Sequence, residues 1–313
     1  MGTLLNRRRY MGWKTGIDYS KQYLTFEAVE SGTFKNSLNN IDYSLDGGNT
    51  WNTLTANTDS PTVSAGEKIM WRAVLTPTSN NGCGTFSSTG EFNVFGNPMS
   101  LHYGENFTNY TSYKTYAFRN LFNGASKLIS AENLKLIALS VGGKAYQSMF
   151  YGCTSLTAAP EIPVISAGTD SMNSMFYNCS SLTVAPEIKV TSTNSYCMSN
   201  MFRGCVSLVQ APSVLPASDA GGNGYSGMFR DCRNIEIAPV IMADSTSGMS
   251  DMFRGCAKLR YIKAMFTTAP NASNWVNGVA SSGVFVKSSE ATWEDTFGAN
   301  AIPTGWTVQT ASE

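Results

Sequence analysis

Two hydrophobic rhythms divide the chain. Between residues 20 and 97 apolar side chains fall on alternate positions. Leu24, Phe26 and Ala28 alternate with Tyr23, Thr25 and Glu27, and Ile69, Trp71, Ala73 and Leu75 with Met70, Arg72 and Val74. A period of two with β-branched and aromatic residues predicts half-buried strands. Phe86, Phe92, Val94 and Phe95 add strand material, and Gly32, Gly47-Gly48, Gly66 and Gly90 mark the turns. About six or seven short strands in so short a stretch predict a small β-sandwich.

From residue 117 to 264 the rhythm is longer. Met149-Phe150-Tyr151-Gly152-Cys153 returns as Met175-Phe176-Tyr177-Asn178-Cys179 and Met201-Phe202-Arg203-Gly204-Cys205. It returns again as Met228-Phe229-Arg230-Asp231-Cys232 and Met252-Phe253-Arg254-Gly255-Cys256, and Leu121-Phe122-Asn123-Gly124-Ala125 is a weaker first copy. The phenylalanines at 122, 150, 176, 202, 229 and 253 lie 28, 26, 26, 27 and 24 residues apart. A period in the twenties predicts a leucine-rich-repeat solenoid, here of six repeats. Leu128, Leu156, Leu182, Leu208, Ile235 and Leu259 form a second column, and Leu134, Ile162, Ile188, Val214 and Ile241 a third. Each column is expected to stack as a ladder at roughly the 4.7–4.9 Å spacing of strands. The Met-Phe half is expected to be a short helical turn closed by a left-handed residue at Gly152, Asn178, Gly204, Asp231 and Gly255. The Ala-Pro steps at Pro160, Pro186, Pro212 and Pro239 are placed beside the short strand, where no ladder N–H is needed.

The remaining segments read as accessories. Residues 1–19 form an N-terminal arm whose Arg7, Arg8, Arg9 and Trp13 are candidates for docking to a partner. Residues 98–116 are a linker and N-terminal cap, and 265–313, with Trp293 and Trp306, a C-terminal cap, because a solenoid must cover its open ends. The fold class is therefore mainly β with short helices: a β-sandwich over 20–97, a repeat solenoid and a C-terminal cap.

Composition narrows the function. Only 14% of the 313 residues are charged and the formal net charge is zero, so no field draws the chain to nucleic acid or anionic lipid. The basic cluster at Arg7–Arg9 has no apolar segment of roughly 7–15 residues behind it, so a secretory signal is not expected. No apolar run approaches about 18 residues, so membrane insertion is not expected either. Five of the seven cysteines share one repeat slot that Ala125 fills in the first copy; exchange of Cys for Ala marks a small buried residue rather than a ligand or bridge. One histidine, His102, leaves no metal-site spacing, and no metal or cofactor is expected.

Ser44-Leu45-Asp46-Gly47-Gly48-Asn49-Thr50-Trp51 fits S-x-D-x-G-x-T-W and resembles the Asp-box hairpin of sialidase propellers and other β-proteins. One copy in a domain too short for a propeller favours a structural turn, in which Asp46 accepts turn N–H groups, Gly48 supplies positive φ and Trp51 packs back. The repeat M-F-x-x-C-x-S-L-x-x-A-P resembles the bacterial-surface-protein class of leucine-rich repeats, called BspA-like. The closing Ile302-Pro303-x-Gly305-Trp306-x-Val308 is similar to the end of such arrays in gut Bacteroidales and their phages. That resemblance implies an adhesin that binds host matrix, glycans or cells. The missing export signal turns the expectation toward a tailed-phage virion protein, a fibre or decoration subunit assembled in the bacterial cytoplasm. Its N-terminus would hold other virion proteins, and its solenoid a host-surface or mucosal glycan or protein. An exported bacterial surface adhesin is the alternative, and a glycan-active enzyme a further one.

Catalytic candidates are few. His102 lacks a nucleophile motif beside it, and Glu161 and Glu187 share a repeat slot at a spacing compatible with the paired acids of a retaining glycosidase, about 5–5.5 Å. Two solvated acids explain them more simply, and no catalytic residue is assigned. The residue after each Met-Phe is a better candidate for recognition. Tyr151, Tyr177, Arg203, Arg230 and Arg254 should point outward if the phenylalanines point inward, making an aromatic-to-cationic stripe for sugars or acidic groups. The chain has no heptads, so any homo-oligomer must use the β-domain or a solenoid flank.

Overall fold

The computed structural model describes residues 18–37, 40–77 and 82–312. Regular structure among them is almost entirely β, with one four-residue helix, α1 (Ser100–Tyr103). Seven strands precede α1: β1 (Leu24–Ala28), β2 (Phe34–Asn36), β3 (Ile41–Ser44), β4 (Asn52–Leu54), β5 (Lys68–Arg72), β6 (Phe86–Ser88) and β7 (Phe92–Gly96). A six-stranded sheet has the order β4-β3-β5-β1-β7-β8, where β8 (Leu128–Leu134) already belongs to the first repeat. Its first five strands are antiparallel neighbours, and β8 joins β7 in parallel. Strands β2 and β6 form a separate antiparallel ribbon. The ribbon lies over one face of the sheet: the Phe26 ring of β1 meets Phe34 at 5.4 Å and Phe86 at 4.9 Å.

The two halves of the chain share one core. Phe122 of the first coil stands 5.8 Å from Phe26 and 6.2 Å from Phe86. Helix α1 bridges the seam: Ser100 Oγ donates to the Trp71 carbonyl (2.8 Å) and accepts from the Leu24 N–H (3.0 Å) on the sheet side, and His102 Nε2 lies 3.0 Å from the Ala117 carbonyl on the repeat side.

In the repeats the Met-Phe half is not a helical turn. It is a run of tight turns in which every fourth residue is left-handed, as at Lys144, Ser148 and Gly152 (φ 58°, 54° and 69°). Alternate N–H groups then face different partners. Tyr146, Phe150 and Gly152 donate to Ser171, Met175 and Tyr177 of the next coil (2.7–2.8 Å), while Met149 and Tyr151 donate back to Tyr146 and Ser148 (3.1–3.2 Å). An α-helix spends every N–H within itself; this run keeps half for its neighbour and so stacks like a parallel sheet. The left-handed positions at Gly152, Asn178, Gly204, Asp231 and Gly255 all have positive φ, but they close turns rather than a helix.

The other two sides of each coil are short extended segments flanking the Ala-Pro corner. Strands β9 (Ser140–Val141) and β10 (Ser166–Ala167) pair in parallel, as do β11 (Val214–Leu215), β12 (Val240–Ile241) and β13 (Tyr261–Ala264). Parallel stacking continues beyond 264. Phe253 and Gly255 donate to Trp275 and Asn277, β14 (Val284–Lys287) pairs with β13, and β15 (Thr307–Thr310) with β14. Residues 272–287 thus build a seventh coil. No helix among the described residues is long and apolar enough to cross a membrane.

Ladders fill the solenoid. Phe122, Phe150, Phe176, Phe202, Phe229 and Phe253 stack at 5.3–5.6 Å with ring planes within 15° of parallel. Leu128, Leu156, Leu182, Leu208, Ile235 and Leu259 are fully buried. In the third column the fourth rung is Leu215, not Val214: Leu215 is buried opposite Ile241, and Val214 is half-exposed. One residue inserted before this strand moves the inward position along by one.

The cysteine column has its own bonding. Cys153, Cys179, Cys205, Cys232 and Cys256 donate S–H to the carbonyls of Phe122, Phe150, Phe176, Phe202 and Phe229 in the preceding coil, at 3.0–3.1 Å. Cysteine fits because it is small, largely apolar and a weak donor. All seven cysteines are free and buried. Burial pushes the Cys205 thiol up to about 12 and Cys197 to about 11. The thiolate is the reactive form, so a thiol reagent at pH 8 should label essentially none of them in the native protein. In denaturant it should label all seven; fast labelling of the native chain would contradict this packing.

Candidate functional site

The residues after Met-Phe line up along one flank of the turn runs, and each is held by its neighbour in the adjoining coil. Tyr151 and Tyr177 stack on one another at 4.7 Å, 8° from parallel. The Arg203 guanidinium sits over the other face of Tyr177, 5.3 Å from the ring centre. Further along, Arg230 pairs with Asp231 (3.7 Å) and Asp251 (3.3 Å), and Arg254 with Asp251 (3.4 Å). The stripe therefore changes character twice, from paired phenols to a single guanidinium to an ion-paired network.

This geometry alters how the stripe can bind. Both faces of Tyr177 are occupied, so a sugar ring cannot lie flat on it. Tyr177 is left with its edge and hydroxyl, whereas Tyr151 also keeps the face turned away from Tyr177. Among the described residues no carboxylate pairs with Arg203, whose only side-chain hydrogen bond is from Nη1 to Asn200 Oδ1 at 3.4 Å. Arg230 and Arg254 share carboxylates and have less to give an incoming anion.

Asp46 organises the hairpin between β3 and β4. Its carboxylate accepts from the Thr50 N–H (2.9 Å), the Thr50 hydroxyl (2.7 Å) and the Ser44 hydroxyl (2.8 Å). Gly48 has φ 94°, its N–H donates to Ser44 Oγ, and Trp51 Nε1 donates back to the Gly48 carbonyl at 3.0 Å. The Trp51 ring packs edge-on to Tyr23 and under the Arg72 guanidinium. Donation by Thr50, chiefly from its backbone N–H, holds the Asp46 carboxyl down at about 2. A carboxyl lowered on folding stabilises above its unfolded value, near 4, and that contribution fades as pH falls toward 2. Asp46→Asn should therefore narrow its stability gap to wild type between pH 5 and 2, read from urea midpoints. A gap independent of pH would assign the loss to shape alone.

The remaining acids and the histidine are each engaged separately. Glu161 accepts from Lys189 Nζ at 2.9 Å, which lowers its carboxyl pKa, whereas Glu187 accepts from the Ser213 N–H and hydroxyl. His102 lies in the core at the seam, Nδ1 3.1 Å from the Leu75 carbonyl and Nε2 3.0 Å from that of Ala117, with Cys83 Sγ 3.3 Å from Nε2. Burial lowers the imidazole pKa and raises that of the thiol, so the pair is neutral rather than a thiolate and imidazolium. Among the described residues no three His, Cys, Asp or Glu side chains group to hold a metal. Arg7, Arg8, Arg9 and Trp13 lie outside the described residues.

Two features escaped sequence reasoning. The stacking of Tyr151 on Tyr177 was signalled by their shared slot, since side chains in one slot of adjacent coils must touch. The Cys83–His102 contact had no comparable signal, because it joins two non-repeating segments. No protein-family model matches the chain, and no curated protein or solved structure matches it either.

Proposed function

We propose that the protein is a non-enzymatic adhesion protein whose solenoid flank binds a host-surface or mucosal glycan or protein. The observation that carries the reading is the outward row Tyr151, Tyr177, Arg203, Arg230 and Arg254, set at one-coil intervals on a rigid stack. Rigid elements hold recognition groups in place at little entropic cost. The resemblance of the repeats to BspA-like arrays supports the same reading. We place the protein on a virion, as a fibre or decoration subunit attached to other virion proteins through residues 1–19, with the β-domain as a small sandwich and the residues after the seventh coil as the closing cap.

Replacing Arg203, Arg230 and Arg254 together with Ser should reduce attachment to host cells or mucin by tenfold or more, on the order of three lost charged contacts. Unchanged attachment by a folded triple variant would remove the flank from the proposal. Mass spectrometry of purified particles tests the location: recovery in bacterial envelopes and not in particles favours the exported adhesin. Release of sugars from a glycan panel would revive the enzyme reading.

A further inference from the structure

Only part of the flank has unspent binding capacity, and that part has a definite chemistry. We infer that the recognition centre is Tyr151, Tyr177 and Arg203 on coils two to four, and that its ligand is an acidic glycan. The anionic group would lie on Arg203, with neighbouring sugar hydroxyls on the two phenols. This inference rests on the adhesion reading and deepens it.

Three observations select these residues. First, Arg203 is the one arginine of the row without a carboxylate partner among the described residues, whereas Arg230 and Arg254 converge on Asp251. A guanidinium has five N–H donors, and Arg203 uses one of them on Asn200. Secondly, its guanidinium rests over the Tyr177 ring, 5.3 Å from the ring centre, a contact that holds the group beside the two phenols. Thirdly, Tyr151 and Tyr177 each give one face to the other and Arg203 covers the second face of Tyr177, so that beside Arg203 the polar group next along the axis is the Tyr177 hydroxyl, followed by that of Tyr151. The order along the rod is phenol, phenol, guanidinium. A linear glycan lying along the axis meets two neutral hydroxyl partners and then one cation, a pattern that suits a carboxylate or sulfate among neutral hydroxyls. An uncharged glycan would leave Arg203 unanswered. A dense polyanion would gain little from the neutralised arginines beyond it.

The test is titration of the full chain, by calorimetry, with three probes of similar length. They are a hyaluronan oligosaccharide, whose carboxylates alternate with neutral sugars, a sparsely sulfated galactan and a neutral glucan. One or both acidic probes should bind and the neutral one should not. Arg203→Gln should weaken the acidic probe by about tenfold or more, as expected for a lost charge-assisted hydrogen bond. Tyr177→Phe, which keeps the ring and removes the hydroxyl, should weaken it roughly three- to tenfold. Arg254→Gln should cost less than Arg203→Gln. Arg260→Gln, which breaks a surface pair with Glu236 outside the row, serves as the unchanged control. Equal binding of the neutral glucan, or an Arg203→Gln variant that binds as wild type, overturns the acidic-glycan assignment. In that case retained binding to mucin leaves the adhesion reading standing. A folded wild-type protein that binds neither the probes, mucin nor host cells overturns both.

Discussion

Replacing Phe176 with alanine should lower the unfolding free energy by about 3–5 kcal/mol, read from urea denaturation. Phe176 is fully buried in the middle of the stack, 5.3 Å from Phe150 and 5.5 Å from Phe202 with planes 1° from parallel on both sides. Truncation therefore removes the apolar burial of one ring and two stacking contacts at once. The surrounding coils cannot close the cavity, because their separation is fixed by backbone hydrogen bonds such as Phe176 N–H to the Met201 carbonyl at 2.8 Å. In a solenoid each coil is stabilised by its two neighbours, so damage to a middle rung weakens both interfaces. A lower m-value in this variant would show the array separating into two melting units. Val209→Ala, at an exposed position of the same coils, should stay within about 0.5 kcal/mol of wild type. A loss below about 2 kcal/mol at Phe176 would mean that the coils can slide to refill the space.

The second large effect is expected at Gly96, where β7 meets both β1 and the first coil. Its φ is 85°, and a Cβ there would lie 2.1 Å from the Tyr23 carbonyl oxygen. Two penalties combine. The left-handed conformation costs a non-glycine residue roughly 1–2 kcal/mol. The clash is with backbone, so relief requires moving the strand seam. Gly96→Ala should therefore lose about 3 kcal/mol or more. Gly47 separates the two penalties, because it has φ 75° and nothing within 4 Å of its Cβ position. Gly47→Ala should show the conformational cost alone, roughly 1–2 kcal/mol. Equal losses at the two glycines would show that the seam yields freely.

The repeats were legible because a solenoid writes its packing directly into sequence. Phe, Cys and Leu recur where each coil must bury the same atoms against the next, so six rungs could be read from spacing alone. The turn geometry was not legible. Gly152, Asn178 and Gly204 announce left-handed backbone, but Lys144, Ser148 and Ser174 adopt it too and carry no such signature. Inter-coil hydrogen bonds impose that conformation against local preference. The same limit explains Val214: a one-residue insertion keeps an aliphatic in view while moving the inward slot to Leu215. At the seam, β8 completes the N-terminal sheet through contacts between segments that share no periodicity. Within the candidate site the five residues of the row could be named from sequence. Their unequal partners, which set Arg203 apart, depend on where Asp251 and Asn200 reach from neighbouring turns.

The alternating hydrogen bonds of the turn runs have a consequence for how such a protein changes length. Along its turn run every coil shows carbonyls to the coil before it and N–H groups to the coil after it. The first coil's carbonyls are already met by the Phe86 N–H, the Thr85 hydroxyl and the groups around Cys83, while the last coil's N–H groups at Ala272 and Val276 end on Asn300 and Ala299. A duplicated unit inserted between the third and fourth coils would find the correct donors below and acceptors above, and both termini would remain as they are. Loss of one interior unit would be equally silent at the ends. Reach is thus a variable that duplication can tune, whereas the first and last coils are fixed by the unlike chemistry each must answer.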